Sequence, residues 1–256
     1  MSDVTALPNT DPGVFGLRGK TVLVTGASSG IGHQIALSCA LAGASVVATG
    51  RDETRLAALV EQMNGPTHRY LAADLRDDVS VKHLATQVER LDGVVHSAGI
   101  AALAPLRMAT RKHIESQMHT NYLAPMLLTQ QLLLRSAICN GGSIVFVSSI
   151  SAHIGVAGVS AYGASKAALE AMARSLALEV AKKAMRVNCL APGLVETPML
   201  AAAKANATSL DQTLARYPLG LGRPEDVAHA AVFLLSGASR WITGTTITID
   251  GGHTVG

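Results

Sequence analysis

The residues best suited to chemistry are Tyr162 and Lys166, four positions apart, with Ser149 thirteen residues before the tyrosine. Residues four apart on a helix lie on one face, about one turn from each other. A nearby ammonium stabilises an ionised phenol, so the spacing predicts a Tyr162 pKa below its usual value of about 10. With a serine hydroxyl to hold the oxygen, these residues predict an acid–base site for a carbonyl or an alcohol. The same spacing also fits an ordinary amphipathic side-chain pair, so the pair alone leaves both interpretations open.

The composition indicates a globular protein with a large apolar core. The chain has 256 residues, of which 48% are apolar and 15% are charged. Its net charge of +3 is weak, and the basic residues are scattered along the chain. This distribution argues against nucleic-acid and membrane partners. The three cysteines lie far apart in apolar stretches, which predicts reduced thiols in a soluble cytoplasmic protein. The histidines and cysteines show no metal-type spacing, so no metal site is expected.

Short β-branched runs alternate with longer helical segments along the chain. Strands are predicted at residues 21–24, 45–48, 69–72, 93–96, 143–147, 186–190 and 246–249. Helices are predicted at residues 30–42, 52–63, 110–136, 161–184 and 224–236. This alternation predicts an α/β fold, a Rossmann-like doubly wound parallel sheet of about seven strands flanked by helices on both faces. We expect a flexible N-terminal extension over residues 1–15, one domain over 16–256, and an irregular lid or binding loop over 192–218.

A glycine-rich segment joins the first predicted strand to the first predicted helix. In Thr25-Gly-Ala-Ser-Ser-Gly-Ile-Gly32, Gly26 allows a tight turn and Gly30 allows a pyrophosphate to approach the backbone. Gly32 allows the helix to pack closely on the strand. The free N–H groups and the helix dipole then face the anion, so the segment predicts dinucleotide binding.

The end of the second strand bears on the choice of cofactor. An acidic residue at this place hydrogen-bonds the adenosine ribose of NAD, whereas an arginine accommodates the 2′-phosphate of NADP. Gly50 occupies the position where the acid is expected, and Arg51 follows it. Asp52 is the competing candidate, although it also stands where a helix N-cap is expected. The segment therefore favours NADP(H), with NAD(H) as the alternative.

These motifs together resemble the short-chain dehydrogenase/reductase family in its compact form of about 250 residues. The resemblance extends from Leu17 to Gly252 and rests on the Thr-Gly-x3-Gly-Ile-Gly loop, Ser149 and the Tyr-x3-Lys pair. Further matching segments lie at residues 73–75, 119–122, 186–197, 221–227 and 250–252. The family pattern Asn-Asn-Ala-Gly is altered to His96-Ser-Ala-Gly99, and we expect His96 to be a core residue that replaces the hydrogen bonds of the asparagine.

The resemblance implies an oxidoreductase that transfers hydride between NADP(H) and a carbonyl or secondary alcohol. Tyr162 would be the general acid or base, Lys166 would lower its pKa and bind the nicotinamide ribose, and Ser149 would hydrogen-bond the substrate oxygen. Asn121 completes the implied catalytic set by fixing a water that links Lys166 to solvent. The implied cofactor-binding residues are Gly26, Ser28, Ser29, Gly30, Ile31, Gly32, Arg51, Asp74, Leu75, Ala98, Gly99, Tyr162, Lys166, Pro192, Gly193, Val195 and Thr197.

The family resemblance also implies a homotetramer, assembled as a dimer of dimers through the long helices. The substrate is expected to be a small molecule, and two alternatives for its class stay open. One is 3-oxoacyl-[acyl-carrier-protein] reduction, and the other is sugar or polyol oxidoreduction with NAD. A nucleotide-sensing binding protein is disfavoured because all four implied catalytic residues are present, and an epimerase because the chain lacks room for a larger substrate region.

Overall fold

The structure is a computed structural model and describes residues 13–64, 67–205 and 215–255. Seven parallel strands form one sheet in the order β3-β2-β1-β4-β5-β6-β7. The strands are β1 (Thr21–Thr25), β2 (Ser45–Gly50), β3 (Arg69–Ala72), β4 (Leu91–His96), β5 (Ile138–Val147), β6 (Arg186–Pro192) and β7 (Thr246–Ile249). The predicted doubly wound parallel sheet is confirmed, and its strand order reverses between β1 and β4, where such folds bind ligands.

Eight α-helices in the described residues connect these strands. They are α1 (Gly30–Leu41), α2 (Glu53–Gln62), α3 (Asp78–Thr86), α4 (Arg111–Met118), α5 (Ala124–Leu134), α6 (Ser160–Val180), α7 (Pro198–Ala205) and α8 (Pro224–Leu235). Buried residues of α1, α2 and α8 share one hydrophobic core, and those of α3, α5 and α6 share a second. The sheet therefore carries helices on both faces.

The central strands are apolar on both faces because both faces are covered. In β1, Val22 and Val24 belong to the core beneath α1 and α8, whereas Leu23 belongs to the opposite core. All three side chains are fully buried. Successive residues of a strand point to opposite faces, so a strand covered on both sides needs a continuous apolar run.

The helical assignments from the sequence need three corrections. Helix α3 was not predicted, although the Asp77 side chain caps it by accepting the N–H groups of Val79 and Ser80. The segment expected to be irregular over 192–218 contains helix α7, and its residues 206–214 lie outside the described ones. The predicted helix 110–136 is divided by a π-turn over His119–Leu123.

The N-terminal segment is described only from residue 13 onwards. Residues 1–12 of the expected extension lie outside the described residues. The ring of Phe15 lies 6.3 Å from that of Phe233 in helix α8. The backbone N–H of Ala238 also donates to the Val14 carbonyl at 3.0 Å. Residues 14 and 15 therefore contact helix α8 and the residues that follow it.

Candidate active site

The Thr25 side chain, which was not among the predicted site residues, joins the carboxyl ends of β1 and β4. The Thr25 hydroxyl accepts the backbone N–H groups of Ser97 at 3.1 Å and of Ala98 at 3.2 Å. Gly26 follows with φ of +67°, and a Cβ on it would lie 2.7 Å from the Ala98 nitrogen. Only glycine tolerates both the left-handed backbone and this approach. The glycine loop is thereby held against the segment that contains Ala98 and Gly99.

The N-terminus of α1 forms a cradle of backbone groups suited to a pyrophosphate. Ser29 occupies the N-cap position with extended backbone, and its side chain makes no capping hydrogen bond. A Cβ on Gly30 would lie 3.4 Å from the methyl group of Thr197, so the start of α7 faces the loop. First-turn N–H groups without helical acceptors bind anions together with the helix dipole. The glycine loop and Thr197 therefore fit the phosphates of a dinucleotide.

The opposite end of the predicted cofactor site contains Arg51 and Asp74. Asp52 caps α2 by accepting the Arg55 N–H at 3.0 Å, and its carboxylate also pairs with the Arg55 guanidinium. The Arg76 guanidinium forms a salt bridge with the Asp74 carboxylate, with 2.6 Å between Nη2 and Oδ2. This contact lowers the pKa of Asp74 to about 2, with a smaller contribution from the charge of Arg51. The carboxylate of Asp74, one of the implied cofactor-binding residues, is thus engaged by Arg76, with Arg51 nearby.

Tyr162 and Ser149 meet at the carboxyl end of β5. Ser149 caps a short 3-10 turn, Ile150–Ala152, and its hydroxyl accepts the Ser151 N–H at 3.2 Å. Burial raises the pKa of the Tyr162 phenol, and a hydrogen bond with the Ser149 side chain partly opposes that rise. The two hydroxyl groups are therefore neighbours, placed to contact one oxygen atom together.

Lys166 lies near Tyr162, but the pKa of the phenol is not lowered below its usual value as the spacing predicted. Its ammonium donates to the Val147 carbonyl at 2.8 Å and lies 5.8 Å from the centre of the Tyr162 ring. Burial lowers the pKa of Lys166 to about 8, although the neighbouring Cys189 and Glu170 raise it in part. The expected lowering of the Tyr162 pKa is wrong for this structure, because burial of the phenol outweighs a cation that faces a backbone carbonyl.

Asn121 lies in the π-turn, beside Lys166. Its side-chain amide makes hydrogen bonds only to other groups of the described protein. Its amide accepts the Ile100 N–H at 2.8 Å and donates to the Ile100 carbonyl at 2.9 Å and to the Ser165 hydroxyl at 3.0 Å. A Cβ on Gly99 would lie 3.2 Å from the Asn121 oxygen and 3.5 Å from the Lys166 nitrogen. Because Pro125 has no N–H, the Asn121 carbonyl cannot receive the usual helical hydrogen bond four residues on.

Some of the predicted site residues lie elsewhere. The side chains of Leu75 and Val195 are buried in the two hydrophobic cores, so only their backbones are candidates for a cofactor contact. Gly193 follows β6 and donates its N–H to the Ile249 carbonyl at 2.9 Å. His96 is 3% exposed, stacks on Phe146 and shares a 2.9 Å hydrogen bond with the Thr129 hydroxyl. Burial lowers the pKa of His96 to about 3, so this histidine is a neutral core residue at neutral pH.

A buried polar cluster that was not predicted from the sequence lies next to Ser149. Glu170 accepts the Ser148 hydroxyl at 2.7 Å and contacts His153 Nε2 at 2.8 Å. Glu170 lies four residues after Lys166, so the pattern Tyr-x3-Lys-x3-Glu places all three side chains on one helical face. That spacing is the signal from which Glu170 could have been found.

The fold and the site define a doubly wound α/β protein with a glycine-rich loop after β1 and with the Ser149 and Tyr162 hydroxyl groups paired at the carboxyl end of β5. A family model described as enoyl-(acyl carrier protein) reductase matches residues 26–254. A 3-oxoacyl-[acyl-carrier-protein] reductase of Chlamydia pneumoniae is 38% identical over 248 residues, covering 93% of this chain and 98% of the relative. An L-xylulose reductase of Mesocricetus auratus is 34% identical, covering 94% of this chain and 99% of the relative.

A solved structure from Beutenbergia cavernae has the same fold, with a TM-score of 0.89 and 34% identity over 95% of this chain and 100% of that chain. It is provisionally assigned as an NAD(P)-dependent gluconate 5-dehydrogenase and contains NADP at low occupancy. The chain belongs to the short-chain dehydrogenase/reductase family. It is an NAD(P)-dependent oxidoreductase that acts on CH–OH and C=O groups. Within the described residues, no helix is both long and apolar enough to cross a bilayer.

Proposed function

We propose that Tyr162 exchanges the proton and Ser149 binds the substrate oxygen in an NADP(H)-dependent carbonyl reduction. The observation that carries this proposal is the contact between the two hydroxyl groups beside buried Lys166. A carbonyl oxygen placed between them receives two hydrogen bonds, and the phenol supplies its proton as negative charge develops. Bound NADPH supplies the hydride. Burial raises the pKa of Tyr162, which keeps the phenol protonated at neutral pH, as reduction requires.

Lys166 supports this proton transfer from one helical turn away. Its ammonium stabilises the negative charge left on Tyr162 after the transfer and is placed to bind the nicotinamide ribose. Asn121 holds Ile100, the residue after Gly99, through side-chain hydrogen bonds to its N–H and its carbonyl. The Asn121 backbone carbonyl would hold the water through which Lys166 exchanges protons with solvent.

The test of these roles is Tyr162→Phe, with NADPH binding and turnover measured separately. We expect turnover to fall by about three orders of magnitude or more, because the proton donor is lost. NADPH binding should change little, because phenylalanine keeps the aromatic ring and the other implied cofactor-binding residues are untouched. A variant that retains most of the activity would contradict the assignment, and Tyr70→Phe, far along the sheet on β3, is the matched control.

NADP(H) is the cofactor we propose, and the end of β2 supports it. Asp52 is engaged as the cap of α2 and as the partner of Arg55, whereas the exposed Arg51 is the basic residue at this position. A guanidinium suits the 2′-phosphate of NADP. Arg51→Ala should raise KM for NADPH about tenfold or more and leave KM for NADH nearly unchanged. An unchanged KM for NADPH would argue for NAD(H).

The activities of the relatives suggest two substrate classes for this protein. A 3-oxoacyl thioester is favoured by the Chlamydia pneumoniae reductase, and a sugar or polyol by the L-xylulose reductase and the Beutenbergia cavernae structure. Following NADPH absorbance with a panel of 3-oxoacyl thioesters, ketoses and simple ketones would separate them. A preference of more than about a hundredfold in kcat/KM for one class decides between the two.

We further infer that residues 16–256 act as one catalytic domain in a cytoplasmic homotetramer. All seven strands belong to one sheet, with β3 and β7 at its edges, which supports a single domain. All three cysteines are free, which supports a reducing compartment. Apolar side chains remain exposed on the two long helical segments, among them Leu123, Met126 and Leu178. Such surface is typical of subunit contacts. Light scattering coupled to gel filtration measures the assembly, and a monomeric mass would refute it.

A further inference from the structure

Glu170 is a buried carboxylate that the proposed chemistry does not use. It is 5% exposed, and its two oxygens contact two different side chains, Ser148 at 2.7 Å and His153 at 2.8 Å. Placing a carboxylate in a protein interior is unfavourable unless its oxygens are hydrogen-bonded. A carboxylate on the surface would avoid this cost, so we expect buried Glu170 to have a specific role.

Both partners of Glu170 belong to the segment that carries Ser149. Ser148 immediately precedes Ser149, and its hydroxyl also lies 3.3 Å from the Lys166 carbonyl. His153 ends the short turn that Ser149 begins, and its N–H donates to the Ile150 carbonyl at 2.8 Å. One carboxylate therefore holds both ends of residues 148–153, which we call the Ser149 segment, against helix α6.

We propose that Glu170 is a positioning residue for the reaction described above. It holds the Ser149 segment so that the Ser149 hydroxyl stays beside the Tyr162 phenol, and it supplies a negative charge one turn from the Lys166 ammonium. This inference rests on the proposed function, because it assigns Glu170 a part in the same proton transfer.

The surrounding charges show why the carboxylate matters to Lys166. The ionisable groups around Glu170 are Lys166 and Arg174 on its own helix, His153 on the Ser149 segment and Cys189 on β6. Burial raises the pKa of Cys189 to about 12, so this thiol is neutral at neutral pH. Cys189 and Glu170 are the two groups that raise the pKa of Lys166. Because Cys189 is neutral at neutral pH, Glu170 is the one that supplies negative charge there. Removing its charge should make Lys166 lose its proton at lower pH.

The experiment compares three variants in reductive kcat/KM from about pH 6 to pH 10. Glu170→Gln removes the charge and keeps the size of the side chain. Ser148→Ala removes one hydrogen bond and leaves the charge. Glu179→Gln, an exposed position on the same helix, is the matched control. Circular dichroism and KM for NADPH confirm that each variant is folded and binds cofactor.

Glu170→Gln should lower kcat about tenfold and move the alkaline fall in kcat/KM by roughly half a pH unit towards lower pH. Ser148→Ala should lower kcat without moving the pH profile, because the charge remains. Both should leave KM for NADPH within about twofold, since neither side chain touches the glycine loop. If Glu170 only supported the local structure, the pH profile would not shift in Glu170→Gln while staying unchanged in Ser148→Ala.

A Glu170→Gln variant with the kcat and pH profile of Glu179→Gln would overturn the inference. If Glu170→Gln does not fold, Ser148→Ala and His153→Ala serve as the test, and wild-type kcat in both would overturn it as well. Wild-type activity and its loss in Tyr162→Phe report separately on the proposed function. A wild-type chain that reduces no carbonyl would overturn the proposed function and this inference with it.

Discussion

Replacing Lys166 by methionine should make the protein more stable while it removes activity. Lys166 is 5% exposed, and burial lowers its pKa from 10.5 to about 8. The depressed pKa means that the folded state holds the ammonium less favourably than the unfolded chain does. Methionine has a similar length and no charge, so the substitution removes this cost.

The magnitude follows from the difference between the two pKa values. A shift of about 2.5 units corresponds to roughly 3 kcal/mol, since each unit is worth about 1.4 kcal/mol. Against this gain stands the hydrogen bond from Lys166 to the Val147 carbonyl at 2.8 Å. Leaving that buried acceptor without a donor costs about 1–2 kcal/mol. Lys166→Met should therefore raise the free energy of unfolding by about 1–2 kcal/mol at neutral pH.

Urea unfolding followed by far-UV circular dichroism, at one fixed protein concentration, measures this difference. Below about pH 8 Lys166 is charged in both the folded and the unfolded chain, so the wild type bears the full cost. Between about pH 8 and 10.5 the unfolded chain binds more protons, and wild-type stability rises with pH relative to the variant. The gain from Lys166→Met should therefore shrink across this window.

Lys182→Met is the matched control, because Lys182 is exposed just beyond the same helix. It should change the free energy of unfolding by less than about 0.5 kcal/mol. A Lys166→Met variant that is less stable than the wild type by more than about 1 kcal/mol would refute the argument from burial. A gain that stays constant across the alkaline window would refute it as well.

Two further predictions concern the cofactor loop and the pH dependence of reduction. Gly26→Ala should weaken NADPH binding about tenfold or more and lower Tm, because φ is +67° and the added Cβ would lie 2.7 Å from the Ala98 nitrogen. Gly237→Ala, which meets only ordinary contacts, is its control, and equal Kd values for NADPH would contradict the expectation. Reductive kcat/KM should fall as pH rises through about 8, where Lys166 loses its proton. An arginine stays protonated across this range, so the remaining activity of Lys166→Arg should not fall at alkaline pH. An unchanged fall in this variant would mean that a group other than Lys166 loses the proton.

The architecture was predictable because its signals are local. Apolar runs such as Thr21–Thr25 and the helical segments between them indicate parallel strands covered on both faces, and the sheet has that form. Helices α3 and α7 escaped prediction: α3 is short, and α7 lies within a stretch of mixed polarity expected to be irregular. The π-turn around Asn121 escaped as well. Helical periodicity does not register a local change in hydrogen bonding next to a proline.

Local backbone geometry, which can be read from the sequence, fixes which groups lie within one turn or one loop of each other. Tyr162 and Lys166 share a helical face, and Gly26, Gly30 and Gly32 surround the start of a helix, because backbone geometry alone sets these relations. Tertiary structure alone decided the electrostatics. Burial raises the pKa of Tyr162 where helical spacing predicted the opposite, and it lowers that of Lys166.

Tertiary structure also decided which distant groups became partners. Ser148 and His153 meet Glu170 across separations of 22 and 17 residues, and no local pattern encodes those contacts. The degree of desolvation around a side chain depends on which elements pack over it. That packing is set by β5, α6 and β6 together, whereas the spacing of Tyr162 and Lys166 is set by one helix.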